Sequence, residues 1–469
     1  MMTAARDALA DLWRLTGLPA KPLDMVELTG DDPALPSSFR VGTAAQASIA
    51  AVACAANAIW HMREGRLQRV SVDMRHAAVE FRSERYLRVD GKPTPEIWDK
   101  IAGAYQCGDG RWVRIHTNFP HHRDGMLRLL GCAYDRTAVA DTLKEWDAES
   151  LETAAADAGL VAAMIRSFEE WDAHPQGRAV AALPTLTITR IGDAQPQPFA
   201  DEPERPLSGV RALDLTRIIA GPVCGRALAA HGADVLAISA AHLPAIAPLV
   251  IDTGRGKRPA FVDLRATEGK QTLARLVSGV DVFVQAYRPG ALGGLGFGPD
   301  EVAEIRPGVV YVSLSAYGHT GPWARRRGFD SLVQTAMGFN RAEAQAAGVS
   351  EPKALPCQAL DHASGYLMAF GALAALARRA TEGGSWHVQV SLAQTGAWLR
   401  GLGRVENGFA CADPTLEVVA DLLEEGPSGF GRLLAVRHAA RMSETPPRWT
   451  LPAVPLGTHP SAWSDGTEA

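Results

Sequence analysis

The stretch that decides the fold is "VRALDLTRIIAGPVCGRALAAHGADVLAIS", residues 210–239. Its two apolar ends predict buried strands, and the Ala-rich segment between them predicts a helix. The apolar runs "AFVDL" (260–264), "DVFVQAY" (281–287) and "GVVYVSLSAYG" (308–318) follow, with a helical run over 267–280. Strands that alternate with helices predict a parallel α/β sheet covered on both faces, as in a doubly wound, Rossmann-like domain.

The composition limits the function classes. The 469 residues are 47% hydrophobic, and 47 basic against 52 acidic residues give a net charge of −5, which creates no field for nucleic acid. Six scattered cysteines without a CxxC pair support neither disulfides nor a metal site. The apolar run 365–377 is too short to span a bilayer core of about 30 Å. The first twenty residues lack a signal-peptide pattern, so we expect a cytoplasmic protein without a membrane span.

The Pro-rich, charged segment "AQPQPFADEPERPLSG" (194–209) predicts a linker with a domain boundary near residue 206. We predict a large Rossmann-like domain over 206–400, a smaller α+β domain over 93–205, and a C-terminal tail over 401–469. Residues 1–92 are predicted to form a helical segment with a partial repeat of the large domain.

The repeat pairs "EGRLQRVSVDM" (64–74) with "EGGSWHVQVSL" (382–392), each after an Ala-rich helical run. Aligning Val70 with Val388 gives an offset of 318 residues, which sets Thr43 opposite Asp361. Such a pair indicates either a partial duplication or two helix-and-strand units that are alike for architectural reasons.

Glycine spacing argues against a dinucleotide. The turn "TRIIAGPVCG" (216–225) and the segment "PGALGGLGFGP" (289–299) both lack the GxGxxG spacing. A phosphate-bearing ligand without nicotinamide stays open, because strand-to-helix turns still present N–H groups to anions. The basic clusters "TGRGKRP" (253–259) and "ARRRG" (324–328) are either anion-binding groups or solvated loops.

Four blocks, ending with "RPGVVYVSLSAYGHTGPWARRRGFDSLVQTAMG" (306–338) and "ALDHASGYLMAFGALAALARRATEGGSWHVQVSL" (359–392), resemble the class III CoA-transferases over about 190 residues. This is the family of formyl-CoA and carnitine or bile-acid CoA-transferases. The segments "YQCGDGRWVRIHTN" (105–118) and "RSFEEWDAHPQGRA" (166–179) resemble its small domain, which ordinarily follows the large one. The chain therefore resembles a rearranged, partly duplicated member, and the resemblance implies a homodimer.

The resemblance implies that Asp361 attacks the acyl-CoA thioester and forms a mixed anhydride. At a helix N-terminus, the dipole would keep this carboxylate ionised. The alternative is that Asp361 only caps the helix. The implied CoA-binding residues are a backbone turn, a set of phosphate-binding cations and an aromatic ring that either stacks on adenine or packs in the core, namely Arg217, Ile218, Ile219, Ala220, Arg255, Lys257, Arg258, Arg288 and Tyr287.

The family pattern is not complete. Ile219 stands where the transferases often carry Gln, and the strand "ADVLAIS" (233–239) lacks the acidic and basic groups expected after it. We therefore expect a CoA-transferase that exchanges CoA between small carboxylic acids, with CoA as substrate and no permanently bound cofactor. The alternative is a catalytically impaired, CoA-transferase-like binding or scaffold protein. A 2-methylacyl-CoA racemase is less favoured, because its "GHD" block reads "GFD" at 328–330 and Phe329 cannot carry a proton.

Overall fold

The computed structural model describes residues 4–464. The N-terminal segment alternates helices and short strands, and its longest helix is almost entirely buried. Its elements are α1 (Ala4–Arg14), β1 (Val26–Thr29), α2 (Val41–Glu64), β2 (Val70–Asp73), α3 (Met74–Glu80), α4 (Ser83–Tyr86), β3 (Arg88–Val89) and β4 (Lys92–Pro93). By length and composition α2 could cross a membrane, but 94% of its apolar window is buried inside the fold.

The middle segment forms a small α+β unit. Its strands build a three-stranded antiparallel sheet in the order β5-β6-β7. The elements are β5 (Gly103–Gln106), β6 (Trp112–Ile115), α5 (Pro120–Leu130), α6 (Arg136–Leu143), α7 (Ala148–Asp157), β7 (Ala162–Met164), α8 (Phe168–Ala173), α9 (Pro175–Ala181) and β8 (Leu186–Gly192). The last strand, β8, leaves this unit and pairs antiparallel with a strand of the large sheet.

The large domain holds a seven-stranded sheet in the order β11-β10-β9-β12-β13-β14-β8. Its own strands are β9 (Arg211–Leu215), β10 (Asp234–Ser239), β11 (Lys257–Phe261), β12 (Val282–Gln285), β13 (Val310–Ser315) and β14 (Ser385–Ser391). These six are parallel to one another. The order reverses between β9 and β12, as in doubly wound sheets, so the predicted α/β class is confirmed.

Helices cover both faces of this sheet. They are α10 (Ala220–Ala230), α11 (Ala247–Thr253), α12 (Thr267–Ser278), α13 (Pro299–Ile305), α14 (Asp330–Met337), α15 (Phe339–Ala347), α16 (Ala359–Glu382) and α17 (Leu392–Gly401). Val282, Val310 and Val388 face the core that holds α10 and α16. Phe283 and Tyr311, one residue further along their strands, face α12 and α13. This alternation is the strand period of two.

The C-terminal segment is not a loose tail, because its strands β15 (Leu423–Ser428), β16 (Gly431–Val436) and β17 (Ala440–Met442) join N-terminal strands. β15 and β16 continue a sheet with β3 and β4, and β17 pairs antiparallel with β2. Residues from both ends of the chain therefore share two sheets.

The predicted repeat has a structural counterpart. Helices α2 and α16 both have 24 residues, and they pack directly against each other. In the sheet β1-β2-β17, β2 has a parallel neighbour and an antiparallel neighbour, as β14 has in β13 and β8. A short helix follows each of these strands, α3 after β2 and α17 after β14. The N-terminal unit thus reproduces one edge of the large sheet.

A buried charge cluster joins the two units. The guanidinium of Arg226 on α10 lies 2.8 Å from the carboxylate of Asp252, and both side chains are 1% exposed. Ser83, from the N-terminal segment, donates to the same carboxylate at 2.7 Å. Burial alone would raise the pKa of Asp252, but the cations of Arg226 and Arg255 hold it below its usual value. The hydrogen bonds of Ser83 to Asp252 and Arg226 hold α4 against the large domain.

Asp252→Asn should lower the free energy of unfolding by about 3–5 kcal/mol, because it removes the buried carboxylate that both Arg226 and Arg255 contact. Since the folded pKa of Asp252 is lowered, its contribution is present above the unfolded pKa and is lost as the pH falls through the folded value. Urea unfolding near neutral pH measures the effect. Asp421→Asn, which breaks the exposed pair with Arg75, is the control and should cost less than about 1 kcal/mol. Equal losses of unfolding free energy in the two variants would contradict the stabilising role of the buried Asp252 carboxylate.

Candidate active site

A cavity of about 360 Å³ opens where the strand order reverses, beyond the ends of β9 and β12. Open α/β sheets bind ligands at this position. The cavity is lined by the turn after β9, the loop after β12, residues before α14, the start of α16 and part of the small unit. The side chains used below are Phe119, His121, His122, Arg217, Ile218, Ile219, Ala220, Tyr287, Arg288, Arg326, Arg327, Phe329 and Asp361.

Asp361 lies in the first turn of α16, yet it does not cap this helix. The carboxylate of Asp330 accepts the backbone N–H of Leu360 at 2.7 Å and that of Asp361 at 2.9 Å. The Asp361 carboxylate is buried at 8% exposure and makes no hydrogen bond within residues 4–464. Its one open side is the cavity. The capping role considered from the sequence therefore belongs to Asp330, and Asp361 is free for another use.

The electrostatic surroundings of Asp361 differ from the expectation. Burial, then the nearby carboxylates of Asp330 and Glu84, raises its pKa well above the usual value. Burial also raises the pKa of Asp330 to about 6. A helix N-terminus was expected to keep Asp361 ionised, but its free N–H groups are bonded to Asp330. Desolvation and like charge therefore outweigh the dipole here.

The first N–H groups of α2, the counterpart of α16 in the repeat, are also bonded to a carboxylate. At the position that corresponds to Asp361, however, α2 carries no acidic residue. The carboxylate of Asp32 accepts the N–H groups of Gly42 and Thr43, each at 3.0 Å, and the Thr43 hydroxyl at 2.6 Å. Thr43 is the residue that the sequence repeat set opposite Asp361. The capping geometry thus recurs in both copies, whereas the unpaired carboxyl group occurs in one.

The turn Arg217–Ala220 lines the cavity as expected. Ile218 has a φ of 79°, a conformation that is unusual for a β-branched residue. Strained backbone of this kind persists where the surrounding structure enforces it, and it concentrates at functional sites. One cause lies on α16, where a Cβ added to Gly365 would stand 2.4 Å from the Ala220 carbonyl oxygen. Gly365 allows α16 to hold this turn close to Asp361.

Tyr287 and Arg288 also line the cavity, but three expected phosphate-binding cations do not. The Lys257 ammonium is buried 2.7 Å from Asp214, and Arg258 lies 2.7 Å from Asp234. Arg255 is buried beside Asp252. Lys257 and Arg258 are thus paired with carboxylates on strands of the large sheet, and Arg255 is paired with a carboxylate on α11. The placement of these three cations at the cavity is therefore corrected: they are structural ion pairs.

Sequence reasoning missed the contribution of the small unit. Phe119, His121 and His122 stand at the start of α5 and form one wall of the cavity. His116 stacks on Phe329 with ring centroids 4.0 Å apart. His319 does not line this cavity. The run "NFPHH" (118–122) was visible in the sequence, but nothing in it indicates that it meets α16.

A second cavity of about 300 Å³ adjoins the first and shares Leu215, Tyr287 and Ala291 with it. Its lining combines apolar side chains with Lys270 and with His242 and Arg265, both of which lie beside the carboxylate of Asp263. Within residues 4–464, no group of three or more His, Cys, Asp or Glu side chains could hold a metal ion. The two cavities lie side by side, with Leu215, Tyr287 and Ala291 in the wall between them and Asp361 in the first.

Asp361→Asn should raise the melting temperature, and by more at about pH 8 than at about pH 5. The folded pKa of Asp361 lies above the unfolded value, so between the two values the folded state holds the proton more tightly and the carboxyl group reduces stability as the pH rises. Thermal unfolding at the two pH values measures this. A pH-independent change, or a loss of stability in the variant, would show that Asp361 is not an unpaired buried acid.

The family model and the proteins to which this chain is similar are described as CoA-transferases or acyl-CoA transferases. The model of CoA-transferase family III matches residues 207–415. An acetyl-coenzyme A transferase of Hypoxylon pulicicidum is 28% identical over 418 residues, which cover 78% of this chain and 70% of that protein. A probable fatty acyl-CoA transferase of Mycobacterium tuberculosis is 36% identical over 203 residues, 40% of this chain and 51% of that protein. An orthorhombic crystal structure from this bacterium shares 34% identity and a TM-score of 0.40, covering 43% of this chain and 59% of that one.

Proposed function

We propose that this chain, whose residues 207–415 match the model of CoA-transferase family III, moves CoA between carboxylic acids with Asp361 as the group that carries the acyl unit. The observation that supports this most is the Asp361 carboxyl group itself. It is buried, has no hydrogen-bond partner in the described chain and faces a cavity at the reversal of strand order. A carboxylate can take an acyl group from a thioester and so divide one difficult exchange into easier steps.

The exchange balances in four steps. The Asp361 carboxylate attacks the thioester carbonyl and forms a mixed anhydride, and CoA leaves as thiolate. The thiolate attacks the Asp361 carbonyl, which gives an aspartyl-CoA thioester and releases the first acid. The acceptor carboxylate then attacks this thioester, which forms a second anhydride and again releases CoA as thiolate. Finally the thiolate attacks the acceptor carbonyl, and Asp361 is regenerated.

The neighbouring carboxylates suit this role in one respect. By raising the pKa of Asp361, burial and the charges of Asp330 and Glu84 make its ionised form more basic and hence more nucleophilic. The rate of the first step should accordingly rise with pH through a range above that of an ordinary aspartate. Glu84 lies 3.3 Å from the ring of His362, so the N-terminal repeat unit contributes to this environment.

The adjoining cavity is the proposed place of the nucleotide. Tyr287 and Ala291 belong to both cavities, so a CoA molecule could pass this wall with its thioester toward Asp361. Lys270 then replaces the buried Arg255 and Lys257 as a candidate for a phosphate contact, whereas Arg265 is paired with Asp263 at 2.6 Å. CoA enters as a substrate, and no permanently bound cofactor is proposed.

A second function is supported by one feature of the turn. Ile219 offers an apolar side chain where relatives of the family often carry an amide, and Asp361 is held toward its protonated form. Both features fit a protein that binds acyl-CoA without turning it over. A racemase is less supported, because Phe329 occupies the position of the proton-carrying histidine.

Acyl capture distinguishes these functions. The chain is incubated separately with acetyl-, butyryl-, succinyl- and benzoyl-CoA, treated with borohydride and digested. A transferase should give the peptide that contains Asp361 in reduced form, the product expected from an aspartyl-CoA thioester. Asp361→Asn should abolish this label. Thr43→Ala, at the matching position of the repeat helix, should retain it.

Binding of acyl-CoA without any label on wild-type Asp361 would favour the non-catalytic function. A label on another residue would move the chemistry elsewhere.

The cytoplasmic location and the homodimer remain proposals. The dimer is supported by the N-terminal sheet, in which β1 pairs with β2 only, whereas its counterpart β13 has the further neighbour β12. An open strand edge can be continued by another chain. Sedimentation velocity at micromolar concentration should show a species of twice the chain mass. Such an obligate dimer is expected to bury more than about 2,000 Å² at its interface. A single monomeric boundary would contradict the dimer.

A further inference from the structure

Arg327 is a cation of the Asp361 cavity that the described structure leaves without a counter-charge. No carboxylate lies within ion-pair distance of its guanidinium anywhere in residues 4–464. The neighbouring Arg326 is already engaged, since it donates to the Glu152 carbonyl at 2.7 Å and lies 3.7 Å from the carboxylate of the same residue. Arg217 donates to the Pro244 carbonyl at 3.2 Å. Arg327 is therefore available to an anion that enters the cavity.

His122 fixes the position of Arg327 without neutralising it. The Nη1 of Arg327 lies 3.3 Å from the Nε2 of His122. Because a guanidinium only donates, Nε2 is the acceptor and the ring proton sits on Nδ1. Burial, followed by His121 and two arginines, lowers the pKa of His122 to about 3, so the ring is uncharged at neutral pH. The contact joins the small unit to the large domain across the cavity.

His122 also has an unused donor. Its side chain is buried, and Nδ1 has no partner within the described chain. Because this nitrogen is buried, the contact through which His122 acts on the cavity is its contact with Arg327. The same wall carries the rings of Phe119 and Phe329, 6.0 Å apart, which offer an apolar surface beside the two polar groups.

This wall is distinct from the path assigned to CoA. The adjoining cavity is lined by Leu215, Tyr287 and Ala291, and neither Arg327 nor His122 lines it. The acid that takes up CoA is an anion and must approach Asp361, whose surroundings include the carboxylates of Asp330 and Glu84. It therefore needs a fixed cation of its own. An arginine fork matches a carboxylate with two parallel hydrogen bonds.

We propose that Arg327, positioned by His122, binds the carboxylate of the acceptor acid, whose carbon skeleton packs on Phe119 and Phe329. This assignment rests on the proposed CoA-transferase function, because it names the second substrate's subsite. It makes Arg327 a binding residue and His122 a positioning residue.

The test separates the two half-reactions. Using the acyl-CoA of the panel that labels Asp361, the first rate is the exchange of isotopically labelled CoA into that acyl-CoA, which needs no added acid. The second rate is the incorporation of the corresponding carbon-13 acid into acyl-CoA. Arg327→Ala should raise the KM for the acid by about ten- to a hundredfold. It should lower the ratio of the second rate to the first at least about tenfold, on the same reasoning.

Arg325→Ala provides the matched control, since Arg325 is exposed in the same loop and does not line the cavity. It should leave both rates unchanged. His122→Asn retains an acceptor for Arg327 and should keep a KM near that of the wild type, whereas His122→Phe should raise it. If Arg327→Ala reduces both rates equally, or His122→Asn and His122→Phe behave alike, the assignment is overturned.

A binding measurement is independent of turnover and so separates failure of this assignment from failure of the proposed function. Benzoate is the probe, and its affinity for wild type, Arg327→Ala and Arg325→Ala is measured by titration calorimetry or ligand-observed NMR. We expect binding to wild type and Arg325→Ala and a loss of at least about tenfold in Arg327→Ala. Equal affinity in all three proteins, or no binding to wild type, overturns the assignment even if Asp361 is labelled by acyl-CoA.

Discussion

The two hydrogen bonds from the start of α16 to the carboxylate of Asp330 are the contact on which the site depends. They satisfy backbone N–H groups that would otherwise stabilise the carboxylate of Asp361. They also place a second acid beside it in a buried setting. Asp361 therefore has neither a cap to make nor a cation to pair with, and the cavity is the one direction in which its carboxyl group is open. Asp330 therefore caps the helix, and Asp361 is left for the proposed chemistry.

The repeat unit shows that the scaffold does not require the reactive acid. At the start of α2, Asp32 holds the backbone in the same manner, and the Thr43 hydroxyl adds a third hydrogen bond. That end of α2 is satisfied internally. At α16 the corresponding position carries a charge that costs stability, and such a cost is retained where function requires it. The N-terminal unit serves α16 in two other ways: α2 packs along it, and Glu84 stands near its first turn.

Much of the fold could be predicted because its signals are local. Apolar strands alternating with helices over 210–318 fixed the parallel sheet, and the turn Arg217–Ala220 lay where a strand meets a helix. Asp361 and Tyr287, which the sequence singled out, both line the cavity. The cations were harder to place, because a lysine on β11 that pairs with Asp214 on β9 has the same sequence signature as one that meets a phosphate. Spacing along a chain does not reveal which carboxylate lies opposite a given cation.

Contacts between distant parts of the chain could not be predicted from the sequence for a related reason. His122 and Arg327 lie 205 residues apart and meet only because the small unit folds onto the large domain. β8 was assigned to the small unit by the Pro-rich linker after it, but it completes the large sheet beside β14. Linker composition indicates where a chain is solvated, and it does not show which sheet the preceding strand joins.

If Asp361 forms the two anhydrides proposed above, it exchanges oxygen atoms with the acceptor acid. Turnover with an acid labelled at both carboxylate oxygens with oxygen-18, followed by mass analysis of the peptide that contains Asp361, tests it directly. Because the bridging oxygen of the second anhydride comes from the acceptor and remains on the enzyme, the account predicts that this peptide acquires oxygen-18 during turnover. Formation of labelled acyl-CoA with an Asp361 peptide that stays free of oxygen-18 would contradict the account.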